Sequence, residues 1–498
     1  MSENFPILIV LLPLSASLLC PLFSYLKRDL GKWLVILAIA CSFLSAIGCL
    51  YETVTSGAAI HYWMGDWQPP LGIEFVIDPL NGTIVVLATF IALLVGIYGT
   101  PFWKEGSWLG VGGYYTLYGL LATGLAGMII TGDVFNLYVF LEIASLSCYG
   151  LIAMGSKRSV LASFRYLVIG TIGASFYLLG VGYLYAITGT LNMADMAVRI
   201  APLIDTPSFK IAIGLFILGF GIKMALFPLH GWQPDAYTYA HPGAAPLIAG
   251  VMGKVPIYAC IRFFYYIFAA SGMAIAAGLQ IMGIMACCGI ILGSVMAIAQ
   301  KDFRRMLAYS SVAQIGYLIV GMALGNVYGL IGAVLHLLNH AFMKGSLFVF
   351  IGSVQYRYGE VNIDKFGQLY RKMPLACWMF VIAALSMIGL PPTAGFFSKW
   401  YLVLGSMQAG GVGYFYIAVI ILSSLLNAIY FFRVIEKIFI NPDAGLKEVH
   451  PQKGKLELPW QMLLPLVIMG VGILVLGLSN ATIVSDLLQI AMPEVLIR

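Results

Sequence analysis

Residues 214–230 read GLFILGFGIKMALFPLH, and residues 385–400 read LSMIGLPPTAGFFSKW. Each lies in an apolar run of membrane-helix length, each is interrupted by proline, and each carries one lysine, Lys223 and Lys399. An ammonium at bilayer depth costs about 2.5 to 3.5 kcal/mol on insertion scales, so a lysine there points to the handling of charge rather than to packing. Ion movement is the first functional expectation.

The rest of the chain has the same character. Of 498 residues, 61% are hydrophobic and 10% charged, against about 25% charged in an ordinary soluble domain. Apolar runs of about 20 residues recur without the alternation that lipid-facing strands need, so the expected fold class is an all-α polytopic membrane protein. About fourteen spans are predicted: 5–25, 33–52, 80–99, 109–130, 134–154, 160–187, 210–229, 242–268, 273–299, 304–324, 327–354, 374–405, 412–437 and 460–479. Residues 56–78 differ, alternating through Ile60-His61-Tyr62-Trp63 and Gly72-Ile73-Glu74-Phe75-Val76, the pattern of an extramembrane hairpin. The N-terminal run has neither a basic flank nor a small-residue cleavage site and is read as the first retained helix.

Basic residues sort by loop parity. Odd-numbered loops hold most of them, among them Lys27, Lys104, Lys157, Arg305, Arg371, Lys453 and Lys455, whereas even loops and termini hold Arg199, Lys210 and Arg498. The positive-inside rule then puts odd loops in the cytoplasm and both termini outside, in an inner (cytoplasmic) membrane. The net charge of +6 resides in these short loops, so no nucleic-acid partner is expected. Eight cysteines are scattered through apolar runs without C-x-x-C or paired Cys/His spacing, and no G-x-G-x-x-G follows a strand. Iron-sulfur, zinc and dinucleotide sites have no support, and no cofactor or metal is expected.

Pro228 frees the carbonyl of Met224, and Pro391 and Pro392 free those of Met387 and Ile388. Broken helices in corresponding places of two halves point to an inverted repeat with an ion path near the midplane, although no residue-level repeat is evident. The ionisable residues inside spans are Glu142, Lys223, Lys254, His336, His340, Lys344 and Lys399. Four such lysines cost on the order of 12 kcal/mol on the insertion scale, as much as the net stability of a typical domain. His336, His340 and Lys344 recur every four residues and fall on one helical stripe, suited to relaying protons through interposed water. Glu142 is the carboxylate at a span centre and the expected partner of a buried lysine. Pairing favours the charged amine and separation in a dry site favours proton release. The bland readings are a lysine snorkelling to the interface, histidines satisfied by packing, and boundary roles for Asp133, His230, Asp235 and Arg262.

The segments DVFNLYVFLEIASLS (133–147), GFGIKMALFPLHGWQPDAYTYAHPGAAPLIAGVMGKV (219–255), KDFRRMLAYSSVAQIGYL (301–318), HLLNHAFMKGSLF (336–348) and GLPPTAGFFSKW (389–400) resemble the antiporter-like proton-translocating subunits of respiratory complex I, Mrp-type cation/proton antiporters and membrane-bound hydrogenases. The resemblance implies two inverted five-helix repeats. Expected boundaries are residues 1–108 for the first three helices, 109–268 and 269–440 for two half-channels, and 441–498 for a loop and last helix. It also implies a pair between Glu142 and Lys223, an eighth-helix Lys254, a central axis of His336, His340 and Lys344, and an exit-side Lys399. Members often read W-L-P-D-A-H where this chain has Trp232-Gln233-Pro234-Asp235-Ala236-Tyr237.

The expected function is a proton-conducting subunit, not catalytic by itself, partnered by other membrane subunits and the bilayer. A D-type Mrp antiporter subunit exchanging Na+ or K+ for protons stands first, and a complex I or energy-converting hydrogenase subunit is the alternative. A stand-alone solute carrier and a quinone-binding subunit are the rivals.

Overall fold

The computed structural model describes residues 4–155, 158–269, 272–451, 457–493 and 496. Lys157, Lys453, Lys455 and Arg498 of the charge sorting lie outside the described residues. Among the described residues, 12 helices are long and apolar enough to cross a membrane. They supply the first six spans (Phe5–Leu26, Leu30–Ser56, Pro79–Tyr98, Trp108–Ile130, Val134–Ala153 and Ser159–Thr188) and the eighth to eleventh (Ala245–Ile267, Ile275–Ile298, Phe303–Ala323 and Val327–Tyr358). The thirteenth is Val412–Phe439 and the last Trp460–Leu478. The seventh and twelfth are divided, into Pro207–Lys223 and Gln233–Tyr239, and into Pro374–Ile388 and Ala394–Ala409. The chain is thus an all-α polytopic membrane protein with two broken spans, as its apolar runs predict.

Contacts between loops support the span count, because they join loops of like parity. Arg165 pairs with Asp235, Lys372 with Asp443, and the Arg304 guanidinium donates to Ala240 O at 2.5 Å, all on the odd-loop face. On the even-loop face, β1 (Ile60–Trp63) and β2 (Glu74–Ile77) form the expected antiparallel hairpin, with Ile60 opposite Ile77 and Trp63 opposite Glu74. Arg262 at the end of the eighth span pairs with Asp78 just after β2. Asp78 also caps the third span, accepting from Leu80 N and Asn81 N at 2.9 and 3.0 Å, which satisfies donors that the first helical turn leaves free.

A repeated clasp relates the two halves. Before the fifth span Asp133 bridges Asn192, with Val134 N donating to Leu191 O and Met193 N to Gly132 O, both at 2.9 Å. Before the tenth span Asp302 bridges Asn362, with Phe303 N donating to Val361 O and Ile363 N to Lys301 O, again at 2.9 Å. In both places the aspartate caps the span it precedes and the asparagine caps the short helix it precedes. The clasps are five spans apart and so lie on opposite faces. Asp133 therefore has the boundary role considered for it.

Burial decides which spans are central. The most apolar windows of the eighth and eleventh spans are 94% buried and that of the tenth 89%, whereas those of the sixth and thirteenth are 39% buried. The three central spans hold Lys254, the histidines and Lys344, while Leu161, Phe164 and Leu425 face outward from the peripheral ones.

Candidate functional site

The sequence places Lys223 inside an apolar run, but the structure makes it the last helical residue of its half-span. The break opens at Met224, four residues before Pro228, and Ala225 turns the chain through a left-handed φ of 59°. Carbonyls freed there are met locally: Trp232 Nε1 donates to Ile222 O at 2.9 Å, and the indole stacks on Tyr166 with ring centres 3.8 Å apart. An ammonium at a helix C-terminus meets the negative end of the macrodipole. Lys223 Nζ donates to Glu142 Oε1 at 3.2 Å and to Ser145 Oγ at 2.8 Å. Glu142 and Ser145 are one turn apart on the fifth span, so one helical face presents both acceptors. Lys223 is 2% exposed and the Glu142 side chain 19%.

Lys399 repeats the theme in the twelfth span without a carboxylate. Its Nζ donates to Met387 O at 3.0 Å, Ile388 O at 2.8 Å and Ser424 Oγ at 3.0 Å, and lies 5.1 Å from the Tyr317 ring centre. The two carbonyls are those the tandem prolines were expected to release. All three ammonium protons are engaged.

Between the broken spans run the other four residues. Lys254 sits at an interruption of the eighth span, between the π-turn Ile248–Met252 and the helix Val255–Arg262, and donates to Ala249 O. Such π-turns recur at functional positions. It is buried, so proximity to a helix break does not let it snorkel. His340 lies within electrostatic reach of Lys254, Lys344 and His336, and its ring stacks on that of His336 with centres 5.7 Å apart. Lys344 Nζ donates to Leu307 O at 2.8 Å and to Ser310 Oγ. His336 Nδ1 lies 2.9 Å from Ser398 Oγ, beside Lys399 in sequence, and Nε2 lies 3.0 Å from Gln314 Oε1. The histidine stripe faces the bundle interior as expected, fully buried.

Cys148, Tyr149, Tyr166, Gln233, Tyr237 and Met252 are buried on the fifth to eighth spans, the group of spans that carries Lys223 and Lys254. Cys148 Sγ and the Tyr166 hydroxyl each reach Met252 Sδ at 3.7 Å. Gln233 and Tyr237, where this chain departs from the W-L-P-D-A-H pattern, are buried on the second half of the broken seventh span. A Cβ on Gly253 would lie 2.8 Å from the Tyr237 hydroxyl, so that glycine keeps room for it beside Lys254.

Several buried polar atoms in this interior lack a protein hydrogen-bond partner among the described residues: Tyr149 and Tyr237 OH, both amide atoms of Gln233, Gln314 Nε2, Asn339 Oδ1, both His340 nitrogens and Ser346 Oγ. Left dry, each costs about 1 to 3 kcal/mol. Together that rivals the net stability of about 5 to 15 kcal/mol of a typical folded protein. A corridor with this lining suits water, which supplies two to four hydrogen bonds per molecule in buried polar sites.

Sequence reasoning named the ionisable groups but missed Ser145, Ser310, Gln314, Ser398 and Ser424, their neutral partners. Ser145 alone carried a signal, its one-turn spacing from Glu142. No group of three or more His, Cys, Asp or Glu side chains is arranged to hold a metal among the described residues.

The family model described as NADH:quinone oxidoreductase/Mrp antiporter, TM, matches residues 131–426. An NADH-quinone oxidoreductase subunit N of Desulforudis audaxviator is 48% identical over 500 aligned positions, covering 99% of both chains. The D-type subunit of a Na(+)/H(+) antiporter from Alkalihalophilus pseudofirmus is 32% identical, covering 98% of this chain and 97% of its own. Among solved structures, a chain of an archaeal membrane-bound sulfane sulfur reductase superposes with a TM-score of 0.88 at 28% identity, covering 99% of this chain and 98% of its own.

Proposed function

Because the chain belongs to the NADH:quinone oxidoreductase/Mrp antiporter membrane family, we propose that it conducts protons across the bundle interior as one subunit of a multisubunit membrane complex. The path runs from Glu142 and Lys223 through Lys254, His340 and Lys344 to His336 and Lys399. The observation that carries this reading is the unbroken burial of these basic groups on packed spans, with polar atoms between them that protein alone does not satisfy.

The Glu142–Lys223 pair is the element that loads and releases. At 3.2 Å and an effective dielectric of about 20, the attraction is on the order of 5 kcal/mol, less where Glu142 meets solvent. Swinging Glu142 away leaves the ammonium with the Ser145 hydroxyl alone, and a proton then passes more readily toward Lys254. Water held by Gln233, Tyr237 and Tyr149 would bridge that gap, and His340 would bridge Lys254 to Lys344. The neutral imidazole both accepts and donates, so it relays without storing charge.

In this reading the clasps mark two inverted half-channels, over residues 109–268 and 269–440, with odd loops in the cytoplasm of an inner membrane and both termini outside. The 48% identity with a subunit N, against 32% with the D-type antiporter subunit, favours an NADH-quinone-oxidoreductase-type assembly over a cation antiporter, and neighbouring membrane subunits as partners. Lys223→Ala in the assembled complex is expected to abolish proton transport with assembly intact. Wild-type transport by that assembled variant would remove the assignment.

A further inference from the structure

On the odd-loop face, outside the proton path, a pocket of about 310 Å³ opens between the start of the sixth span, the second half of the broken seventh and the start of the tenth. Three guanidinium groups converge on it, from Arg158, Arg165 and Arg305. Among the described residues a single carboxylate answers them. Asp235 is divided between Arg165 at 3.0 Å and Arg305 at 3.4 Å, one oxygen to each. Arg158 donates to the Tyr239 hydroxyl at 3.4 Å and has no ion-pair partner among the described residues. Among the described residues two positive charges are left uncompensated at one spot, a concentration of charge that an anion would neutralise.

We propose that this pocket binds the phosphate of an anionic phospholipid. Three features favour a lipid over a soluble anion. Arg158, Leu161 and Arg165 follow one another at three- and four-residue steps, so they share a helix face. Leu161 and the neighbouring Phe164 are 54% and 61% exposed between Arg158 and Arg165, and Val168 and Ile172, deeper along the same helix, are also exposed, an apolar surface on which acyl chains can lie. The arginines also cluster where basic pockets between membrane helices take anionic headgroups, and the guanidinium fork matches phosphate oxygens pairwise. A headgroup bearing two phosphates balances the excess charge and is the best-fitted ligand. The site differs from the proton path in residues and in chemistry, so it stands or falls independently of it.

The test is lipid retention by the purified, delipidated complex, followed by native mass spectrometry after titration with tetraoleoyl cardiolipin, dioleoylphosphatidylglycerol or dioleoylphosphatidylcholine. Cardiolipin is expected to bind most tightly and phosphatidylcholine least. The double variant R165Q/R305Q is expected to weaken cardiolipin binding about thirty-fold, from the loss of two charges near the headgroup. D235N should strengthen it, since it removes the competing anion. That opposite sign separates a binding role from a structural one, because loss of a structural ion pair would weaken the site in both variants. Equal affinity for phosphatidylcholine, no change in R165Q/R305Q, or weaker binding by D235N would each overturn the proposal. Displacement of cardiolipin by millimolar inorganic phosphate would overturn the lipid assignment in favour of a free anion.

Discussion

Lys399 offers a perturbation in which structural and proton-carrying roles move in different directions. Its ammonium donates to Met387 O, Ile388 O and Ser424 Oγ, capping the half-helix that the tandem prolines interrupt. Lys399→Met strands two carbonyls, each costing about 1 to 3 kcal/mol when buried, or about 3 kcal/mol in all after partial hydration. With an unfolding entropy of about 2.1 cal/mol/K per residue, a chain of 498 residues should lose about 3 °C of unfolding midpoint. Lys399→Gln keeps two N–H donors for those carbonyls and should hold its midpoint close to wild type, yet an amide cannot release a proton at neutral pH. Transport in Lys399→Gln should fall at least about a hundred-fold, the scale on which positioned proton donors act. Thermal unfolding of the purified complex followed by intrinsic fluorescence gives the first quantity. Dye-reported proton translocation in inverted vesicles, normalised to assembled complex, gives the second. Wild-type transport by Lys399→Gln would reduce Lys399 to a cap and refute the reasoning, and an unchanged midpoint for Lys399→Met would refute the capping arithmetic.

Two further outcomes follow from other parts of the interior. His340→Phe keeps the ring stacked on His336 while deleting two unpaired nitrogens, so stability should hold or rise as transport falls about tenfold or more, measured by the same pair of assays. His241, linking the seventh and eighth spans, accepts from Gly243 N at 3.1 Å. Burial first, and then the nearby Arg304 guanidinium, push it down to about 4 from 6.5. Its neutral form is therefore the folded one. The stability it contributes is fully present above about pH 6.5 and is lost as pH falls toward about 4, by at most about 3 kcal/mol. The midpoint of wild type should thus drop further than that of His241→Gln between about pH 7.5 and about pH 4.5; equal drops would contradict the shift.

The charged landmarks were legible because each stands against an apolar background. A lysine in a membrane-length run has few explanations; Glu142 was identifiable as the partner of a buried lysine because no other carboxylate lies at a span centre, and the family resemblance pointed to Lys223 as that lysine. Tandem prolines marked the twelfth-span break and the carbonyls it frees. The seventh-span break was less legible: Pro228 marks its neighbourhood, but the helix already stops at Lys223, where Ala225 reverses the chain. Ser310 and Ser424 gave no warning, since serine is common in membrane helices and the partner lies on another span, whereas Ser145 was signalled by its one-turn spacing from Glu142. The inverted repeat, expected from the two broken spans, left no residue-level signature for a related reason. Asp133/Asn192 and Asp302/Asn362 set the same backbone clasp, while the helices between carry unrelated side chains suited to different neighbours. Gln233 and Tyr237 read as a departure from a family pattern, and only packing against Gly253 reveals where their polar ends go.

The central claim is that the buried amines and imidazoles are joined by water. An experimental density map of the assembled complex, sharp enough to place solvent, tests it most directly. The account predicts ordered water within hydrogen-bonding distance of both His340 nitrogens and of the Gln233 and Tyr237 polar groups, forming a continuous file from Lys223 to Lys399. A dry, fully packed interior between Lys254 and His340, or lysine nitrogens turned out to the headgroup region, would contradict it.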